Sequence, residues 1–130
     1  MYNESGVITT TLERLRAIEM PGFVTQVEVI AVEDCSTDDT AGLAEKISLS
    51  FPGTKVIRLP VNAGKGAAVA AGVREANGNT ILVQDADLEL DPKDIPSLLR
   101  RMHNLNLDLV SGTRFGSGSG YPAHAIAAVT

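Results

Sequence analysis

The chain has 130 residues, enough for one domain with its own core, and 44% of them are apolar. A net charge of −5 argues against a general attraction to nucleic acid or to an anionic membrane, and the single cysteine, Cys35, excludes an internal disulfide and a cysteine-based zinc site. No apolar run approaches the roughly 20 residues that span a bilayer and no signal peptide opens the sequence, so a cytoplasmic location is expected, with peripheral docking at a membrane left open.

In chain order, Asn3 or Ser5 can cap a helix that carries Thr9, Leu12, Leu15 and Ile18 at helical spacing and ends at Pro21-Gly22. Val27 to Val32 is β-branched and apolar, which predicts a strand delivering Glu33 and Asp34 to its carboxyl end. The turn from Cys35 to Thr40 is rich in capping residues, and a helix through Leu43, Ala44 and Ile47 follows it. After Pro52-Gly53 comes a second strand, Lys55 to Leu59, then a loop at Asn62 to Gly66 and a small-residue helix from Ala67 to Ala76. A buried strand is expected from Thr80 to Gln84, running directly into Asp85, Ala86 and Asp87. Pro92 suits the start of a helix with Ile95, Leu98, Leu99 and Met102 on one face, and Leu107 to Ser111 reads as the last clear strand.

Strands alternating with helices at this spacing imply right-handed crossovers and a mainly parallel sheet. Ligands of such sheets bind outside the carboxyl ends of the strands, which gathers Glu33, Asp34, Asp85, Asp87 and Arg114 on one rim. Asp85 and Asp87 leave an extended segment on the same side, because side chains there alternate with period two. Paired carboxylates repel unless a cation sits between them, and all-oxygen donors favour Mg²⁺ or Mn²⁺. The alternative is structural: Asp85 starts a turn and Asp87 caps the next helix. Lys65 lacks the spacing of a phosphate-binding P-loop and can equally be a solvent-facing lysine. Arg114 can bind phosphate or pair with Asp108 or Glu89, and Asp34 can cap the Ser36-Thr37 turn. Gln84 ends its strand, and His103 and His124 are assigned no ligand role.

Five segments in order then resemble one family: YNE at Tyr2 to Glu4, VEDCSTDDT at Val32 to Thr40, NAGKGAAVAAG at Asn62 to Gly72, DADLELDP at Asp85 to Pro92, and SGTRF at Ser111 to Phe115. Together they are similar to the nucleotide-binding part of family-two glycosyltransferases, nearest the dolichol-phosphate mannosyl- or glucosyltransferase-like branch. The resemblance implies an α/β, Rossmann-like, mainly parallel sheet flanked by helices, the nucleotide-binding half of the GT-A fold, over residues 1–115. It implies that Asp85 and Asp87 hold Mg²⁺ or Mn²⁺, that Glu33 and Asp34 contact the nucleoside, and that Tyr2, Glu4, Lys65, Asp85 and Arg114 take part in binding a UDP- or GDP-linked hexose. The reaction implied is a single inverting displacement onto a lipid phosphate or a glycan hydroxyl.

Two departures from the family pattern matter. The given sequence opens at the YNE-like motif without the apolar strand that family members place before it, and nothing after Phe115 matches their acceptor-binding half, so a domain truncated at both ends is expected. Residues 116–130 are expected to be a Gly/Ser connector followed by an apolar segment, Ala125 to Thr130, which could replace the missing strand within one chain or by exchange in a homodimer. Cys35 stands where the family has a small Gly or Asn. The second hypothesis is thus a catalytically incompetent fragment that binds nucleotide or dimerises. A Rossmann dehydrogenase is not supported, because no glycine-rich fingerprint follows the Val27 to Val32 strand.

Overall fold

The computed structural model describes residues 1, 5–50, 52–85, 91–112 and 125–128. Helices and strands alternate as α1 (Ile8–Arg16), β1 (Val29–Glu33), α2 (Thr40–Leu49), β2 (Thr54–Arg58), α3 (Lys65–Glu75), β3 (Ile81–Leu82), one 3₁₀ turn (Pro92–Asp94), α4 (Ile95–Leu105), β4 (Val110–Gly112) and β5 (Ala125–Ala128). The expected α/β class, with a parallel sheet and flanking helices, is what the chain adopts.

β1 and β2 pair in parallel, from Val29 opposite Thr54 to Glu33 opposite Arg58, with α2 as the crossover between them. The pleat of β1 divides its side chains between two layers. Val29 packs on a core of Ile8, Leu12 and Ala44 from α1 and α2. Val32 lies on the other face, where its Cγ2 would stand only 3.3 Å from a Cβ added to Gly72 of α3. A glycine at that position lets the helix backbone lie close against the strand. The alternation continues past the apolar residues and sends Glu33 towards α2 and Asp34 towards α3.

Several boundaries move for identifiable reasons. α1 starts at Ile8 rather than at Ser5, whose amide donates instead to Asp38 Oδ2 at 3.2 Å. Its buried residues, Ile8, Thr11 and Leu12, recur at the spacing of one helical face. α3 starts two residues earlier than the sequence suggests. Gly64, at φ +82° and ψ 168°, turns the chain so that the Ala68 amide closes the first turn on the Gly64 carbonyl at 3.1 Å, and Lys65 falls inside the helix. β4 begins at Val110, not Leu107, and Leu107 is used by the end of α4. Asn106 takes a left-handed conformation (φ 49°), its amide donates to the His103 carbonyl and the Leu107 amide to that of Met102, a Schellman ending. His103 is exposed on α4, and its ring stacks on Phe23 with centroids 4.1 Å apart.

The apolar C-terminal segment does form a strand, but in a different place from the one expected. β5 runs antiparallel between β3 and β4, with Leu82 and Val110 both opposite Ala127. It therefore does not stand beside β1. There the main chain of Met1 provides the pairing: its ammonium donates to the Val32 carbonyl and its carbonyl accepts the Asp34 amide, each at 2.8 Å. The connector at residues 116–120 lies outside the described residues.

Candidate functional site

Parallel pairing brings the ends of β1 and β2, and the loops that follow them, to one rim. Glu33 and Asp34 are both buried there, each only 4% exposed. The pleat separates them. Glu33 turns to the α2 side, where its Oε1 accepts the Ser36 amide and its side chain lines an open hollow of about 390 Å³. Cys35, Ser36, Asp38, Gly42 and Arg58 share that lining.

Asp34 turns to the α3 side. Its Oδ1 accepts the Ala63 amide and its Oδ2 the Gly64 amide, both at 2.8 Å. Two consecutive backbone donors held by one carboxylate fix the loop that opens α3. The ends of the clamp are 29 and 30 residues apart in sequence, so it ties two loops of the rim together. The carboxylate has further lone-pair sites beyond these two bonds.

The clamp positions Lys65. As the first residue of α3 it projects from the rim, and its Nζ lies 2.6 Å from Asp85 Oδ2. The lysine side chain is 62% exposed and that of Asp85 25%. Asp85 offers hard oxygen donors at the rim and already attracts a positive charge, so it fits a divalent cation as one ligand. Asp87, the other half of the expected pair, lies outside the described residues, as do Tyr2, Glu4 and Arg114. Among the described residues no group of three or more His, Cys, Asp or Glu side chains comes together in a way that could hold a metal.

Two rim residues escape a reading of the sequence. Asp38 accepts both the amide and the hydroxyl of Thr40, and also the Ser5 amide. The Thr40 hydroxyl is the main reason its carboxyl is held down at about 2, helped by Ser5 and the Thr40 amide. Arg58 ends β2 directly opposite Glu33 and reaches Glu45 at 2.9 Å. The rule that collects carboxyl ends of parallel strands on one rim points to Arg58 as soon as β2 is known to end there. Cys35 is exposed and has φ 55°, the left-handed region that favours Gly or Asn.

At the opposite, amino end of β1, Glu28 accepts the amides of Asn77 and Gly78, at 2.5 and 2.8 Å, and the Asn77 side chain. These bonds, led by that from Gly78, hold its carboxyl below the usual range. Glu28 joins the end of α3 to the start of β1 and lies far from the rim residues in the fold.

The family model for glycosyl transferase family 2 matches residues 1–123. A dodecaprenyl-phosphate galacturonate synthase of Rhizobium johnstonii is 36% identical over 115 residues, which are 88% of this chain and 34% of that enzyme. A dolichol-phosphate mannosyltransferase of Pyrococcus furiosus is 37% identical over 91 residues, 70% of this chain and 25% of that enzyme. The chain thus spans about a third or less of the length of these relatives. Among solved structures, a mannosyltransferase of Pyrobaculum calidifontis in complex with GDP-Man and Mn²⁺ superposes with a TM-score of 0.75 at 23% identity, covering 85% of this chain and 32% of its own. S. aureus TarS 1-349 in complex with UDP gives a TM-score of 0.74 at 26% identity, over 95% of this chain and 36% of that one.

Proposed function

The chain belongs to glycosyl transferase family 2, and on that premise we propose that its rim receives the nucleotide-diphosphate end of a UDP- or GDP-linked hexose. The clamp of Asp34 on the Ala63 and Gly64 amides carries this reading, because it sets Lys65 beside Asp85 at the carboxyl ends of the strands. Glu33 and Asp34 mark the nucleoside end, Glu33 through the hollow it lines and Asp34 through the loop it holds. Asp85, together with Asp87, holds Mg²⁺ or Mn²⁺, and Lys65 and Arg114 answer the phosphate oxygens. Tyr2 and Glu4 border the same donor site.

A bound divalent cation supplies charge neutralisation as the diphosphate leaves. Lys65 adds a mobile positive charge on the same side, and the buried carboxylates hold the loops still around it. With the acceptor-binding part in place, the reaction is transfer of the hexose to a polyprenyl phosphate or a glycan hydroxyl. Support for a lipid phosphate comes from the polyprenyl- and dolichol-phosphate relatives. No helix among the described residues is long and apolar enough to cross a membrane.

Calorimetric titration with UDP-glucose and GDP-mannose, with and without Mn²⁺, tests the proposal. Binding of one of them that depends on Mn²⁺ and is lost in Asp87→Ala is the expected result. Heat that is the same without metal, or no binding to either compound, refutes the donor site.

A further inference from the structure

The Lys65–Asp85 pair has a consequence for how the rim accepts a cation. Lys65 opens α3, where the helix's own positive end already disfavours an ammonium group. The partner that compensates for this is Asp85, 2.6 Å away, contributed by the segment that follows β3, 20 residues further along the chain. The backbone of Lys65 is held in place by the Asp34 clamp on the two preceding residues. Its side chain is not, since more than half of it is exposed. A four-carbon stem anchored at a fixed backbone can leave Asp85 and still stay on the rim.

We propose that Lys65 is the resident counter-ion of Asp85, and that a divalent cation binds Asp85 only as this ammonium moves off it. This rests on the reading of Asp85 as a metal-binding residue. Lys65 and the cation compete for one carboxylate, so the free domain holds metal weakly. The released ammonium remains near enough to meet the diphosphate that arrives with the cation. Metal and nucleotide then assist each other, because the phosphate oxygens offer Lys65 a new partner in exchange for the one it gives up.

The test measures binding of Mn²⁺ alone to the full 130-residue chain, from the loss of the free-ion paramagnetic resonance signal. Four proteins are compared: wild type, Lys65→Met, Asp85→Asn and Lys55→Met, the last removing a lysine that pairs with Glu75 away from the rim. The expected result is that Asp85→Asn weakens Mn²⁺ binding about tenfold or more, Lys65→Met tightens it by roughly three- to tenfold, and Lys55→Met leaves it unchanged, in line with the modest worth of a solvent-exposed ion pair. If Asp85→Asn weakens binding but Lys65→Met does not tighten it, or tightens it no more than Lys55→Met, the competition is refuted while the metal-binding reading stands. If Asp85→Asn has no effect, or neither wild type nor Lys65→Met takes up Mn²⁺, both are refuted.

Discussion

Asp34→Asn isolates the clamp with almost no change in shape. The carboxylate accepts two amide protons at 2.8 Å from a position only 4% exposed, one on each oxygen. An asparagine keeps one acceptor and turns an NH₂ group towards the second amide, so one bond is lost and two donors face each other. A hydrogen bond to a charged group is worth about 1.5–3 kcal/mol. Ala63 is exposed and Gly64 half-buried, so water recovers part of the loss, leaving a cost of about 2 kcal/mol. With a urea m-value of about 1–2 kcal/mol/M for a domain of this size, the unfolding midpoint should fall by about 1–2 M. Hydrogen exchange at Ala63 and Gly64 should quicken in the same variant. A midpoint within about 0.3 M of wild type, where a fall of about 1–2 M is expected, would mean that the two amides are not held by Asp34 and that Lys65 is positioned by something else.

Three further outcomes follow from the same geometry. Gly64→Ala should destabilise by about 1–3 kcal/mol in urea unfolding, although an added Cβ meets nothing within 4 Å, because φ +82° with ψ 168° is a backbone region open essentially to glycine alone. Cys35→Gly should stabilise by about 0.5 kcal/mol, since release from a left-handed φ of 55° outweighs the extra freedom glycine gives the unfolded chain. Asp38 titrates at about 2 in the fold against 3.8 ordinarily, so the unfolded chain binds its proton first. Its contribution is complete above about pH 4 and disappears as the pH falls towards 2. Acid unfolding of Asp38→Asn should accordingly show a shallower loss of stability over that interval than wild type.

Much of the fold is legible in the sequence because its signals are local. The β-branched run before Glu33, the glycine before α3 and the Pro92 turn each mark an element within a few residues. The order of the acidic and glycine-rich segments leads to the family, which the match over residues 1–123 bears out. The rim was only half legible. Adjacent acids such as Glu33 and Asp34 read as a pair, yet the strand runs on through Glu33 and the pleat sends them to opposite layers. The Lys65–Asp85 contact depends on where α3 begins, and that depends on the backbone of Gly64 rather than on apolar periodicity. β5 was recognisable as extended, but Ala-Ile-Ala-Ala carries too little side-chain variety to specify a neighbour. Its pairing with β3 and β4 is set by the tertiary arrangement. The end of α4 misled for a similar reason: Leu107 and Leu109 look like strand residues, whereas Asn106 and Leu107 are used to close the helix and both leucines are exposed.

The most direct test of a donor site at this rim is to locate the cation on the chain. Amide signals of the labelled protein, recorded with a nucleotide-diphosphate sugar and a small fraction of Mn²⁺, should broaden first at Gly64, Lys65 and Asp85, while those of Glu28, Asn77 and Gly78 at the far end of β1 stay sharp. Broadening centred at Glu28, or spread evenly over all exposed carboxylates, would contradict it.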